Sequence, residues 1–132
     1  MAAAHSGATP RLSADDLRRL PGPADTPADC ACRHLKCAGW ESVSAPLGEP
    51  LLVPLGTLRD SEREDEPTLD EFHPQGTRYG SDTAPIAPDF FPYNRCSVWA
   101  CAACRRGFVQ YTEFGGYYVD HRLREVDPRR VV

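Results

Sequence analysis

The most regular patterning of apolar and polar positions lies in the last third of the chain. GFVQYTEF (107–114) and YYVDHRLREV (117–126) are rich in Val, Tyr, Phe and Thr and are joined by Gly115-Gly116. β-branched and aromatic residues favour strands. Gly-Gly between two such runs predicts a β-hairpin with a primed turn, which needs positive φ at its centre. Upstream, SVWAC (97–101) predicts a strand entering a cysteine cluster. LLVPL (51–55) predicts an edge strand, because Pro54 cannot donate to a sheet on both sides.

Helical patterning is confined to LSADDLRRLPG (12–22). Ser13 can cap a helix whose third residue is Asp16, Leu12 can staple to Leu17, and Pro21-Gly22 ends the run. A short helix near 13–20 is therefore expected. Two turns are not stable alone, so it docks on its own domain, the favoured expectation, or serves as a partner-binding peptide. Around it, residues 1–29 are Ala, Pro, Asp and Arg with little apolar content, which predicts a flexible, disordered tail and leaves 30–132 as the domain.

RDSEREDEP (59–67) reads as a charged loop. The stretch from Phe72 to Arg95 is different: turn-forming Pro and Gly alternate with Phe72, Tyr79, Phe90, Phe91 and Tyr93. A disordered linker would be poor in aromatics, so an ordered, irregular excursion packed on the domain is expected. Long ordered loops of this kind often carry function.

Composition sharpens the picture. A chain of 132 residues has room for one domain, and thirteen prolines, ten glycines and few large aliphatic residues leave a thin core. Six cysteines offer another way to hold it together. The N-terminus lacks the basic start and apolar run of a secretory signal, and no apolar window is long enough to span a membrane. A cytoplasmic location is expected, where closely spaced cysteines bind metal or do chemistry more often than they form bridges. Lys36 is the single lysine among fifteen basic residues, a bias expected of a GC-rich bacterial genome.

The cysteines fall into two clusters: Cys30, Cys32 and Cys37 in DCACRHLKCAGW, then Cys101 and Cys104 in a C-x-x-C, with Cys96 on the strand before them. One C-x-x-C lets two sulfurs face one ion from a single turn, and tetrahedral zinc needs four ligands, commonly two pairs from distant segments. The expected quartet is Cys32, Cys37, Cys101 and Cys104, since C-R-H-L-K-C closes a loop able to bend around an ion. Cys30 in place of Cys37 is the rival, and His34 inside the loop is a further substitute. Two clusters followed by a hairpin resemble a zinc ribbon, over about a third of the chain. The resemblance implies two knuckles clamping Zn2+. The match departs at Arg105, where such knuckles usually carry Gly. An iron–sulfur cluster, a redox-active C-x-x-C and disulfides are alternatives.

His73, Tyr79, Tyr93, Asn94, Arg95 and Cys96 are concentrated in and beside the irregular excursion. A cysteine beside an arginine, with His73 as base, would make a nucleophile; turn and packing roles are the simpler expectation. Asp120-His121 is expected as a solvated pair on the open face of the sheet. Charge is uneven: residues 41–94 carry three basic and eleven acidic side chains, whereas 95–132 carry seven basic and four acidic. Arg105, Arg106, Arg122, Arg124, Arg129 and Arg130 could form a basic face for nucleic acid, but pairing with the protein's own acids is favoured. The expectation is thus a small, mainly β (or α+β), zinc-ribbon-like domain with a structural zinc site of four cysteines. It would act as a binding or adaptor module for another protein, with a nucleic-acid-binding ribbon or an iron–sulfur or Cys/His enzyme as alternatives.

Overall fold

The strand runs in the last third alternate between two faces, and both faces are covered. In a computed structural model, which describes residues 9–60 and 67–132, five antiparallel strands form one sheet. They are β1 (Glu41–Val43), β2 (Leu52–Thr57), β3 (Ser97–Cys101), β4 (Gly107–Phe114) and β5 (Val119–Glu125), in the order β1-β5-β4-β3-β2. One face carries Val98, Val109 and Tyr111, packed with Leu17, Trp40, Leu58, Ile86, Tyr93, Val126 and Val131. The other carries Cys101, Phe108 and Leu123, packed with Cys32, Cys37 and Leu52. The period-two alternation of side chains along a strand sorts these sets.

The hairpin is present, with Phe108 paired to Glu125 and Phe114 to Val119. Its turn is not the primed one expected: four residues, 115–118, close it, with the Gly115 N–H donating to Tyr118 O at 2.9 Å. Neither glycine has positive φ; among the described glycines Gly76 alone does. Gly115 instead lets the exposed Tyr118 ring lie over it; a Cβ there would come 2.1 Å from that ring, which would have to swing away. β2 is an edge strand, with an irregularity in its pairing to β3 between Pro54 and Gly56.

The helix α1 spans Ala14–Arg18. Ser13 accepts from the Asp16 N–H while the Asp16 carboxylate accepts from the Ser13 N–H, a reciprocal capping box. Leu17 is fully buried in the first core, so the helix docks on its own domain. Just before it, the Leu12 N–H donates to Thr57 O and the Thr57 N–H to Pro10 O, adding residues 10–12 to the β2 edge. Gly56 permits this approach, because a Cβ there would meet Pro10 O at 2.5 Å. Within the segment expected as a flexible tail, then, residues 10–12 pair with the β2 edge and Leu17 and Leu20 pack in the first core; residues 1–8 fall outside the described residues. So does most of the charged loop expected at 59–67.

The excursion from Phe72 to Arg95 is irregular and packed, as its aromatics imply. Trp40 lies 5.5 Å from Tyr93 and 5.1 Å from Tyr111, ring centre to ring centre, and Phe72 meets Phe90 at 4.9 Å. Ile86 bridges to Val131, which seats the chain's last residues beside it. Arg124 on β5 is almost wholly buried and donates to Ala38 O, Asp82 O, Ala84 O and the Tyr93 hydroxyl. No helix among the described residues is long and apolar enough to cross a membrane.

Candidate metal centre

β3 delivers the second cysteine pair. Cys101 ends that strand, and the chain reverses through Ala102–Arg105 into β4, with the Cys101 N–H donating to Arg106 O and the Arg105 N–H to Cys101 O. The N–H groups of Ala103 and Cys104 point at Cys101 Sγ, at 3.4 and 3.5 Å. This turn requires a left-handed residue straight after the second cysteine, and Arg105 supplies it with φ of 72°. The turn therefore forms with arginine, not glycine, at its left-handed position.

The first pair comes from a short 3-10 turn, Ala31–His34, entered through extended Cys30. It places Cys30 Sγ 3.5 Å from Cys101 Sγ and Cys32 Sγ 3.5 Å from Cys104 Sγ. All four sulfurs lie within 4.8 Å of one another. Zn–S bonds of about 2.3 Å in a tetrahedron set neighbouring sulfurs about 3.8 Å apart, so the cluster has the dimensions of a shell around one ion. An iron–sulfur cluster distributes its thiolates over separate irons and needs a wider spread.

Cys37, expected as a ligand, is not in this group; Cys30 stands in its place. Beyond the 3-10 turn Leu35 is extended and the chain runs on beside β5, where the Glu125 N–H donates to Cys37 O. The loop from Cys32 to Cys37 therefore does not close around a common point. Cys37 Sγ faces Leu35 O at 3.9 Å, and burial pushes this thiol up to about 12. His34 is exposed and also lies outside the group.

The electrostatics are graded. Burial raises Cys32 to about 12 and raises Cys104 as well. At Cys101 burial also acts upward, but the N–H groups of Cys104 and Ala103 and the neighbouring thiols outweigh it and bring the group down to about 7. A cation must therefore displace protons from Cys32 and Cys104 more than from Cys101, which ties affinity to pH. Arg106 is buried against the site: it donates to Cys32 O at 3.0 Å, lies 3.7 Å from Cys32 Sγ, pairs with Glu125 and stacks 4.8 Å above the Phe108 ring. One guanidinium, itself paired with Glu125, therefore sits beside Cys32.

The residues considered for catalysis are engaged separately. His73 is held between Thr77 and Glu71, both at 2.7 Å. Cys96 is fully buried and donates to Pro92 O at 3.3 Å. Tyr79 meets the Tyr111 hydroxyl and accepts from Arg122, Asn94 donates to Thr68 O, and Arg95 donates to Pro67 O. His73, Tyr79 and Tyr93 line an aromatic cleft with room for about one water molecule. Asp120 and His121 have separate partners: the former bonds Arg122 and Ser42, the latter Thr112.

The arginines weighed as a basic face are dispersed, and three of them pair with the protein's own carboxylates, as the favoured expectation had it. Arg106 pairs with Glu125, Arg122 with Asp120 and Glu113, and Arg129 with Asp127. Arg124 is internal. A feature with no sequence expectation stands out instead: Phe114, Tyr117, Tyr118 and Val119, at the hairpin tip, are 78%, 104%, 55% and 56% exposed. The signal was available in FGGYYV, an apolar run at a turn where polar residues are usual. Because β3 pairing ends at Ser97–Gln110 and β1 pairing at Val43–His121, this tip projects beyond both neighbouring strands. Compared with known protein families, curated proteins and solved structures, the chain finds no match in any of the three.

Proposed function

We propose that this chain is a small protein-binding module stapled by a structural zinc ion on Cys30, Cys32, Cys101 and Cys104. The observation that carries the reading is the gathering of four sulfurs, from segments about seventy residues apart, within 4.8 Å. Four thiolates close a tetrahedral shell and leave no position for a substrate, so the ion's role is to hold the fold. A staple needs no redox chemistry, which favours zinc over iron at a site whose dimensions suit either as a single ion. Cytoplasmic residence belongs to this reading, since a reducing compartment keeps such thiols free.

The contact surface we assign is the projecting hairpin tip, whose exposed aromatics are the residue types that anchor protein interfaces. The nucleic-acid reading loses support because most of the arginines it needs are matched to the protein's own carboxylates or buried.

The test is metal content of protein purified without oxygen or chelator, in the parent and in Cys30→Ser, Cys37→Ser and Cys104→Ser. One colourless zinc per chain is expected in the parent and in Cys37→Ser, with loss of metal and of a cooperative melt in the other two. Structural zinc contributes on the order of 10 kcal/mol in small domains, so the difference will be large. Metal lost from Cys37→Ser and kept in Cys30→Ser would overturn the ligand assignment. A photo-crosslinking residue at position 117, compared with one at exposed Arg78, should capture one discrete protein in cells; equal capture at both sites would remove the tip from the reading.

A further inference from the structure

We infer that hydrogen peroxide converts the four-cysteine site into two disulfides, Cys30–Cys101 and Cys32–Cys104, which replace the metal as the link between the two segments. The inference rests on the zinc reading above and adds a regulation to it. Three observations carry it. The two thiol pairs at 3.5 Å both cross from one segment to the other. Closure within the first segment would join Cys30 to Cys32 across a single residue, a ring too small for relaxed disulfide geometry. If all four sulfurs oxidise, the bonds must therefore cross, and the short contacts select which. Finally, each pair matches a partly exposed cysteine with a buried one: Cys30 and Cys104 are partly exposed, whereas Cys101 and Cys32 are buried.

The chemistry balances pair by pair. Peroxide oxidises the exposed thiolate to a sulfenic acid, its O–O bond breaking with release of water after protonation. The buried thiolate then attacks the sulfenic sulfur, the S–S bond forms, and hydroxide leaves to be protonated to a second water. For the whole site, four thiolates, two peroxides and four protons give two disulfides and four waters, and Zn2+ leaves because no thiolate remains to hold it. Cys37 and Cys96 are buried away from these pairs and take no part. The bonds span separations of 71 and 72 residues and join the points the ion joined, so oxidative zinc loss leaves the chain folded where chelation does not.

The experiment titrates the zinc-loaded full chain with hydrogen peroxide beside a colorimetric zinc indicator, then maps disulfides in a non-reducing tryptic digest. Release should be complete at two peroxides per zinc. Peptide 20–33 should be joined twice to peptide 96–105, fragmentation placing the bonds at Cys30–Cys101 and Cys32–Cys104, with Cys37 still alkylatable. The oxidised chain should keep its strand circular dichroism and a melting midpoint well above that of the chelated, reduced chain. A Cys101–Cys104 disulfide, a bond to Cys37 or Cys96, zinc retained under excess peroxide, or an unfolded oxidised product would each overturn the inference. A chain that binds no zinc defeats the zinc reading separately. Peroxide treatment of that reduced, metal-free chain, which consumes the same two equivalents, then decides the pairing alone.

Discussion

Arg105 shows how one residue can satisfy a turn it does not suit. Left-handed backbone costs an ordinary L-residue about 1–2 kcal/mol, and Arg105 adopts it with an exposed side chain that gains nothing visible in return. Arg105→Gly should therefore stabilise the protein by about 0.5–1 kcal/mol, the relief of strain less the extra freedom glycine has when unfolded. A rise in urea midpoint at unchanged slope is the expected result. At this scale the sequence is a partial guide. Spacing is enough to nominate Cys101, Cys104 and Cys32, because a C-x-x-C turn constrains its own sulfurs. Choosing between Cys30 and Cys37 depends on where the chain goes after Leu35. There the Glu125 N–H donates to Cys37 O, a pairing with a strand far along the chain that local spacing does not encode.

The elements divide by how local their causes are. The capping box of α1 and the alternation in β4 and β5 are written within a few residues, and both are legible. Removing the Ser13 hydroxyl in Ser13→Ala should cost about 1 kcal/mol, seen as a lower thermal midpoint. The Ser13 N–H and hydroxyl hold the Asp16 carboxyl below its usual value. A lowered carboxyl stabilises the fold above its unfolded value near 3.8 and loses that contribution as pH falls through the lower folded one. The part of the parent's advantage over Ser13→Ala that comes from the hydroxyl's bond to the Asp16 carboxylate should accordingly be lost only below about pH 4; an unchanged difference in strong acid would show that this bond contributes nothing, the Ser13 N–H bond being common to both proteins. β1, three residues long and without strand composition, is not legible, because its pairing is imposed by β5. The turn at 115–118 departs from expectation for a related reason: Gly115 answers to the Tyr118 ring, not to φ.

Across the whole molecule, the sheet is held to its irregular cover by a buried cation. Arg124 reaches from β5 to carbonyls at Ala38, Asp82 and Ala84 and to the Tyr93 hydroxyl. Arg124→Met would preserve most of the volume but leave the buried Ala84 carbonyl and Tyr93 hydroxyl without their donor, while the more exposed Ala38 and Asp82 carbonyls can turn to water. At about 1–3 kcal/mol for each of these two unsatisfied groups, partly relieved by relaxation, a loss of about 2–4 kcal/mol is expected in denaturant unfolding, with metal content unchanged in the folded fraction. A basic residue in a strand gives no hint of this, since its partners come from separate stretches of chain.

The two covered faces of the sheet also divide the protein's two tryptophans between them. Trp40 stands in the aromatic core, while Trp99 packs against the cysteine side. A sheet one layer thick separates two natural fluorophores, each surrounded by a different half of the structure. With Phe at either position, the remaining emission becomes a private record of one face. The order in which metal, packing and backbone are lost can then be read from the protein's own light without attaching a label.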